Sequence, residues 1–208
     1  ELTQIAGALA YGSSAGVGIS STVLVHNDTV QALVGPQTAV TAGANGSAAG
    51  VDIAATSHEN LLTIAVGGGA SSSAAVAGSV IVNVLNETTR ARLDDSASVT
   101  LATPSGGSQA DLSVRASDET QIISVAGSVA ASSSVGVGLG AVVNTLNKTT
   151  EARLGSGVVG SSDGNVQVLS QSNEVIASVA AGVAASSSVG VAADANVQVL
   201  NITTRAIL

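Results

Sequence analysis

A ten-residue motif, Asn-x-Thr followed by a short Arg/Ala/Leu tail, recurs four times in this chain. The copies are VHNDTVQALV (25–34), VLNETTRARL (84–93), TLNKTTEARL (145–154) and VLNITTRAIL (199–208). The conserved positions within it are Asn27, Asn86, Asn147 and Asn201, with Thr29, Thr88, Thr149 and Thr203 two residues later. A catalytic site needs its residues once, whereas a repetitive architecture needs them once per repeat. The motif therefore predicts a repeat protein.

The repeat has a constant half and a variable half. Successive motif asparagines are 59, 61 and 54 residues apart, yet a β-branched residue precedes each one by 22 residues in all four copies. These residues are Ile5, Ile64, Val125 and Val179. Length changes therefore fall only in the second half, as expected of loops. We predict one continuous array over 1–208, about 3.5 repeats of 54–61 residues, with repeats at about 1–59, 60–120, 121–174 and a partial 175–208.

The constant half alternates strongly between two residue classes, which is the signature of β-strands. In the third repeat, Val and Leu hold one parity from Val125 to Val143, while Ser, Ala and Gly hold the other. We expect the valine face to be buried. The Gly/Ala/Ser face has three readings: it packs on a second sheet, packs on a neighbouring molecule, or is a weakly polar exposed face. A serine run (71–73, 132–134, 186–188) divides each unit into two predicted strands of about ten residues, and either bends the chain or continues it.

The variable half combines glycine-rich loops with one short amphipathic strand per repeat. The loops are 43–50, 104–108 and 155–164, and the predicted strands are Val51–Ser57, Asp111–Ser117 and Val166–Ser172. Alternating polar and apolar residues in these strands indicate one wet face. Most of the charge lies in this half, since Asp194 is the only charged residue in the four constant units.

Repeats that cannot bury a face alone must stack on one another. Short strands, glycine-rich loops and a fixed period favour an all-β β-solenoid. In such a fold the four asparagines line up, and their side chains can bond one another along a ladder that the threonines continue. We predict that this ladder marks a corner. Because a single ordinary solenoid coil has about 20 residues, we expect more than one coil per repeat rather than one wide coil.

Composition argues against several classes of function. The formal charge is −8, and Tyr11 is the only aromatic residue, so we expect no binding of nucleic acid, either through its phosphates or by base stacking. There is no cysteine, which excludes disulfides and thiolate metal sites. The uncharged stretches alternate and contain Gly and Ser runs, so we expect no membrane-spanning helix. The five Asn-x-Ser/Thr sequons include Asn45, but four of them are the motif itself, so the repeat accounts for them.

No catalytic, cofactor or metal residue is predicted. Asp94–Asp95 is the only adjacent acidic pair, and we interpret it as a solvated loop start rather than a glycan-cleaving pair. Glu59, Glu119 and Glu174 recur at similar places and are interpreted as exposed turn acids, with a weak divalent-cation site as the alternative. His26 stands where the other copies carry leucine, and we interpret it as a packing residue.

The pairing of VAGSVAASSSVGVGLGAVVNTLNKTTEARL (125–154) with GNVQVLSQSNEVIASVAAG (164–182) resembles large repetitive bacterial surface proteins of the filamentous haemagglutinin-like and leukotoxin-like type. The resemblance implies a right-handed parallel β-helix, export through an outer-membrane pore to the cell surface, and a role in adhesion. It carries over no catalytic residue. The long uncharged strand pair in each repeat departs from the shortest-coil pattern of that family.

Three functional hypotheses follow. The first is a structural stalk or spacer in a secreted bacterial surface adhesin, with neighbouring repeats of a longer parent chain as partners and a host or glycan receptor bound elsewhere. The second is a self-assembling extracellular filament or matrix module, whose bare faces and uncapped ends dock onto other copies. The third is a glycan-binding surface made of the polar ladders.

Overall fold

The computed structural model describes residues 1–42, 50–101, 110–156, 159–161 and 164–208, and in these ranges the secondary structure is β-strand without helix. The predicted loops at 43–50 (except Gly50) and 104–108, and the sequon at Asn45, lie outside the described residues. The stretch 155–164, predicted as a loop, contains the short strand Val159–Ser161. The strands are β1 (Leu2–Gly12), β2 (Ala15–Val34), β3 (Ala39–Ala42), β4 (Val51–Ser71), β5 (Ala74–Leu93), β6 (Ser98–Leu101), β7 (Leu112–Ser132), β8 (Val135–Leu154), β9 (Val159–Ser161), β10 (Val166–Ser186) and β11 (Val189–Ile207).

The strands form three parallel sheets that follow the repeats in order. The first sheet contains β1, β4, β7 and β10, the second contains β2, β5, β8 and β11, and the third contains the short strands β3, β6 and β9. Every pairing between neighbours is parallel. The prediction of an all-β chain built from stacked repeats is therefore confirmed at the level of sheet topology.

Each complete repeat adds one strand to each sheet in the described part of the chain. The expectation of more than one coil per repeat is wrong, because a second coil would place two strands of one repeat in the same sheet. The 22-residue spacing is visible in the register: Ile64 lies beside Ile5, and Asn86 lies beside Asn27.

The strands are about twice as long as predicted. The predicted short strand Val51–Ser57 and the segment beginning at Ile64 form one continuous strand, β4, of 21 residues. The serine run bends the chain: β4 ends at Ser71, and β5 begins at Ala74 in the other sheet. In the bend, Ser72 Oγ donates to the carbonyl oxygen of Ser13, and Ser133 Oγ donates to that of Ser72. We call this bend the serine corner (residues 13–14, 72–73, 133–134 and 187–188).

A tight turn follows the second-sheet strands β2 and β5. Gln37 and Ser96 occupy equivalent places in it, with φ of 58° and 60°, in the left-handed region. Asp94 and Asp95 lie here, as the loop-start interpretation predicts. Arg92 is 2.9 Å from Asp94, and Asp95 Oδ1 lies 3.0 Å from Arg153 and accepts a hydrogen bond from the Ser156 backbone N–H at 2.9 Å. That backbone hydrogen bond is the main cause of the lowered pKa of Asp95, and Arg153 adds to it.

The faces of the long strands are inverted relative to prediction near the serine corner. Ser124, Ala126 and Ala130 are fully buried, whereas Val129 is 52% exposed and Leu139 is 43% exposed. Of the three readings of the Gly/Ala/Ser face, packing on a second sheet is observed, because the first and second sheets meet through it. The sheets approach so closely that a Cβ on Gly67 would lie 2.1 Å from the Gly78 carbonyl oxygen. Valine does not fit in that space, so it lies outside.

The interior widens with distance from the serine corner. Next to the corner the buried side chains are alanines, and further along they become the leucine and isoleucine cluster of Leu61, Leu85, Ile122 and Leu146. At the opposite end the three sheets enclose the largest apolar cluster, which includes Leu93, Val99, Leu112 and Val114. The chain thus places a thin two-sheet slab at one end and a three-sheet core at the other.

Candidate functional site

The motif asparagines form a continuous hydrogen-bonded ladder on the outer face of the second sheet. Asn86 Nδ2 donates to Asn27 Oδ1, Asn147 Nδ2 donates to Asn86 Oδ1, and Asn201 Nδ2 donates to Asn147 Oδ1, each at 2.7 Å. The prediction that this ladder marks a corner is wrong, because Asn86 and Asn147 lie inside the 20-residue strands β5 and β8. Strands that run straight through the motif keep the asparagines in register, and no turn is needed.

The motif threonines continue the pattern two positions further along the same face. Thr29, Thr88, Thr149 and Thr203 are in register across β2, β5, β8 and β11. Because residues two apart in a strand share a face, the Asn and Thr rows lie side by side on the outside of the second sheet. The two rows separate an apolar stretch on the corner side from a charged stretch that contains Arg90, Glu151 and Arg205. Glu151 Oε2 accepts a hydrogen bond from Arg205 at 2.9 Å.

A second asparagine ladder runs inside the slab, and the sequence reasoning missed it. Asn83 and Asn144 are fully buried, and Asn83 Nδ2 donates to Asn144 Oδ1 at 2.8 Å. Thr63 and Ser124, from the first sheet, hydrogen-bond this pair at 3.0–3.2 Å. The sequence does contain a signal for this ladder, namely the alternation of positions along the strand. Asn83 and Asn144 fall on the alternate positions that carry the small buried residues, whereas the motif asparagines fall on those that carry the valines.

A buried charge cluster surrounds Lys148, whose side chain is fully inaccessible. Lys148 Nζ lies 2.7 Å from Asp118 Oδ1, 3.1 Å from Glu174 Oε1 and 3.9 Å from Glu87 Oε2. It also donates to Thr120 Oγ1 at 2.8 Å. Counted by strands, the second repeat is β4–β6, the third is β7–β9 and the fourth is β10–β11. In this count Glu87, Asp118 and Glu174 come from three different repeats, so this single ammonium group joins repeats two, three and four. We call these residues and Thr89 the lysine cluster.

Hydroxyl groups complete the polar contacts of the lysine cluster. Thr120 Oγ1 donates to Glu87 Oε2 at 2.6 Å, and Thr89 Oγ1 donates to Asp118 Oδ2 at 2.7 Å. Burial raises the pKa of Glu87, and the nearby Asp118 carboxylate raises it further. The Thr120 hydrogen bond and the Lys148 charge oppose this shift without cancelling it. The charged form of Glu87 is thus destabilised by its burial in the cluster.

The recurring glutamates do not form the row that the sequence suggested. Glu59 and Glu174 both pair in register with Thr120, whereas Glu119 pairs with His58 and Asn173, one position away. Since a shift of one residue changes the face of a strand, Glu119 points outward while Glu59 and Glu174 point inward. The interpretation as turn acids is also wrong, because all three lie inside long strands.

The two histidines occupy different faces. His26 is in register with Leu85 and therefore occupies the leucine column, as predicted, with Nε2 3.7 Å from Glu59 Oε2. His58 is exposed, with Nδ1 3.4 Å from Glu119 Oε2, and its Nε2 is 2.9 Å from Asn60 Nδ2.

The described residues contain no group of three or more His, Asp or Glu side chains arranged to hold a metal ion. In the lysine cluster the carboxylates face the Lys148 ammonium, so the central position is already filled by a cation. Among the same residues, no helix is long and apolar enough to span a membrane. The polar side chains that sequence and structure bring together are therefore engaged mainly with one another, in ladders and in one buried cluster.

No protein-family model, curated protein or solved structure matches this chain.

Proposed function

We propose that the chain is a structural, non-catalytic spacer segment of a large secreted bacterial surface adhesin, folded as a right-handed parallel β-helix. The observation that carries this proposal is the unbroken register of the long strands through successive repeats, over about 20 residues in each of two sheets. An array of this kind extends by one strand spacing per repeat, about 4.8 Å, without any change in cross-section. The length of such a segment, and so its distance of extension from the cell surface, increases in proportion to the number of repeats.

The contacts between repeats support a mechanical role, because they hold each repeat to the next. Each interface between repeats contains two long parallel ladders, the outer asparagine ladder and the serine corner, and the lysine cluster joins three repeats internally. Each repeat therefore depends on its neighbours for its hydrogen bonds and its charge balance. The partners of the segment, in this proposal, are the adjacent repeats of a longer parent chain at the bacterial cell surface.

The hypothesis of a self-assembling module rested on two features, the bare Gly/Ala/Ser faces and the uncapped ends of the array, and the first of these is not available for docking. The Gly/Ala/Ser faces, expected to dock onto other copies, lie inside the slab, with Ala126 and Ala130 fully buried. The glycan-binding hypothesis retains the outer Asn and Thr rows, although the amides of Asn86, Asn147 and Asn201 already donate within their ladder.

A binding experiment separates the spacer from the glycan-binding surface. The purified chain is titrated onto a glycan array and onto cultured epithelial cells, beside a variant carrying Thr88→Ala and Thr149→Ala in the outer row. A spacer gives no saturable binding for either protein. Saturable binding by the wild-type chain that the double variant loses would replace the spacer with a glycan-binding surface.

A further inference from the structure

The corner-side half of the array exposes apolar side chains on both outer faces. We call this part the apolar fin: residues 5–25, 64–84, 125–145 and 179–199, each a strand, serine corner and strand. In the two central repeats, whose strands have neighbours on both sides, Val66 is 45% exposed and Val129 is 52% exposed. Their exposure is therefore a property of the face and not of the end of the array.

The outer faces of the fin carry no charge in the described residues. Asp194 is its only charged residue, and it is in register with Gly140, which is buried and faces the interior. On the second sheet the apolar face extends from the serine corner to the asparagine ladder, with Ser21 and Thr145 as its outward-facing polar residues beyond the corner. Beyond the ladder the same face becomes polar and charged. The asparagine ladder is thus a boundary between two kinds of surface.

The fin cannot cover these side chains by rearranging itself. Its two sheets already touch through backbone: a Cβ on Gly18 would lie 1.9 Å from the Gly68 carbonyl oxygen. Next to the serine corner the interior has no room for valine, and further along the inward positions are already filled by Ile81 and Val142. The outer side chains are therefore covered only by another molecule.

Each outer face is grooved as well as apolar. On the second sheet, Gly78 lies between Ile19 and Leu139, in a groove of about 440 Å³. On the first sheet, Gly68 lies between Leu9 and Val129, in a groove of about 420 Å³. A glycine hollow beside protruding leucine or isoleucine side chains suits the interlocking of side chains between two packed sheets.

The area of one face approaches that needed for a stable protein interface. Ten residues along a strand span about 33 Å, and four strands span about 19 Å, which gives roughly 600 Å² of flat face. Standard interfaces bury about 800 Å² per partner, and an apolar patch on a typical monomer is at most about 600 Å². Side-chain relief adds to the flat estimate, so the face falls in the range of an interface.

We propose that the apolar fin is a self-association surface, on which the second sheet of another copy of this array packs face to face. A second copy supplies the same uncharged, grooved surface and covers the valine rows without disturbing the strands. A lipid bilayer is the less suitable occupant, because the terminal strands of an inserted sheet would leave backbone groups unpaired in hydrocarbon. The association goes beyond the spacer role: it would bundle neighbouring stalks side by side.

Sedimentation velocity of the wild-type chain from about 1 to about 200 μM tests the proposal. Two lysine variants on one face of β5 are compared: Val82→Lys lies inside the fin, and Thr88→Lys lies beyond the asparagine ladder. We expect the wild-type chain and Thr88→Lys to dimerise with rising concentration, and Val82→Lys to weaken dimerisation by about tenfold or more. Circular dichroism checks that both variants fold. If Val82→Lys does not fold, Leu139→Lys on β8 replaces it as the substitution that disrupts the apolar face.

Three results would overturn the proposal. The wild-type chain could stay monomeric at every concentration, or the two β5 variants could weaken dimerisation equally. Alternatively, the wild-type chain could be monomeric and float with phosphatidylcholine vesicles, which would assign the face to lipid. Each of these leaves the spacer proposal standing, because reach depends on the repeat register and not on the outer face of the fin.

Discussion

Replacing Lys148 with methionine is the sharpest test of how the repeats are held together. Methionine has a similar length and fits a buried site, but it removes the only ammonium group that faces Asp118, Glu174 and Glu87. The variant leaves the buried carboxylates of Asp118 and Glu87, and the partly buried carboxylate of Glu174, without their cation. Removing one partner of a buried ion pair costs about 3–5 kcal/mol, because an uncompensated charge remains. We expect a loss in the free energy of unfolding of that size for Lys148→Met at pH 7.

Urea unfolding followed by far-ultraviolet circular dichroism measures this loss at pH 7 and again near pH 4. Burial raises the pKa of Glu87, so the lower pH neutralises that carboxyl and the difference between wild type and variant should shrink. Arg115→Met is the matched control, because Arg115 and its partner Asp52 are both about half exposed. An exposed pair contributes about 0–1 kcal/mol.

The reasoning about the lysine cluster is refuted if Lys148→Met unfolds within about 1 kcal/mol of wild type at pH 7, since the desolvation argument requires more. A rescue experiment sharpens the test. Adding Asp118→Asn and Glu174→Gln to Lys148→Met removes two of the stranded charges and should recover part of the lost stability. A triple variant less stable than Lys148→Met would show that packing, and not charge, governs the site.

Three further predictions concern stability. Burial holds the folded-state pKa of Glu87 above its ordinary 4.5, so ionised Glu87 costs stability at neutral pH, and that cost vanishes as the pH falls below 4.5. Glu87→Gln should therefore unfold at higher urea than wild type at pH 7 and at the same urea below pH 4.5. Gly67→Ala should destabilise by about 1–3 kcal/mol through backbone contact across the slab, whereas Gly127→Ala, with nothing within 4 Å of its Cβ, should be neutral or slightly stabilising. Asn147→Ala removes two ladder bonds and should cost about 1–3 kcal/mol by thermal unfolding, roughly twice the cost of Asn27→Ala, which removes one.

Each of these has a clear contrary result. A Glu87→Gln effect of equal size at pH 7 and pH 4 would show that the substitution acts through packing. Equal costs for the two glycine variants would contradict the close approach of the sheets, and equal costs for the two asparagine variants would show that the ladder bonds add little.

Register was predictable because it depends only on spacing. The constant 22 residues between Ile64 and Asn86, and between Val125 and Asn147, place both ends of each unit in line with the next repeat. The alignment of the asparagines could be predicted from this spacing alone. Whether the motif lies in a corner or in a strand could not be predicted. Asn-x-Thr is compatible with a turn and with a straight strand, and only the length of β5 distinguishes the two.

The inverted faces and the lysine cluster depend on distances that residue types do not encode. Hydrophobicity alone favours burying valine over alanine, but next to the two-residue corner the space between the sheets admits only the smaller side chain. The lysine cluster joins residues of three repeats at inward positions, and recognising it requires knowing which parity is inward. Glu119 and Glu174 look equivalent in sequence, yet the pairing register separates them by one position and so places them on opposite faces.

The central claim is that repeat number sets length while the cross-section stays fixed. Gln121 is in register with Val175, so residues 121–174 form one in-register repeat that can be duplicated in place. Small-angle X-ray scattering of the chain with one, two and three extra copies of 121–174 measures both dimensions. The account predicts an increase of about 4.8 Å in length per copy with an unchanged cross-sectional radius. A cross-sectional radius that grows with each copy, or a length that does not, would contradict it.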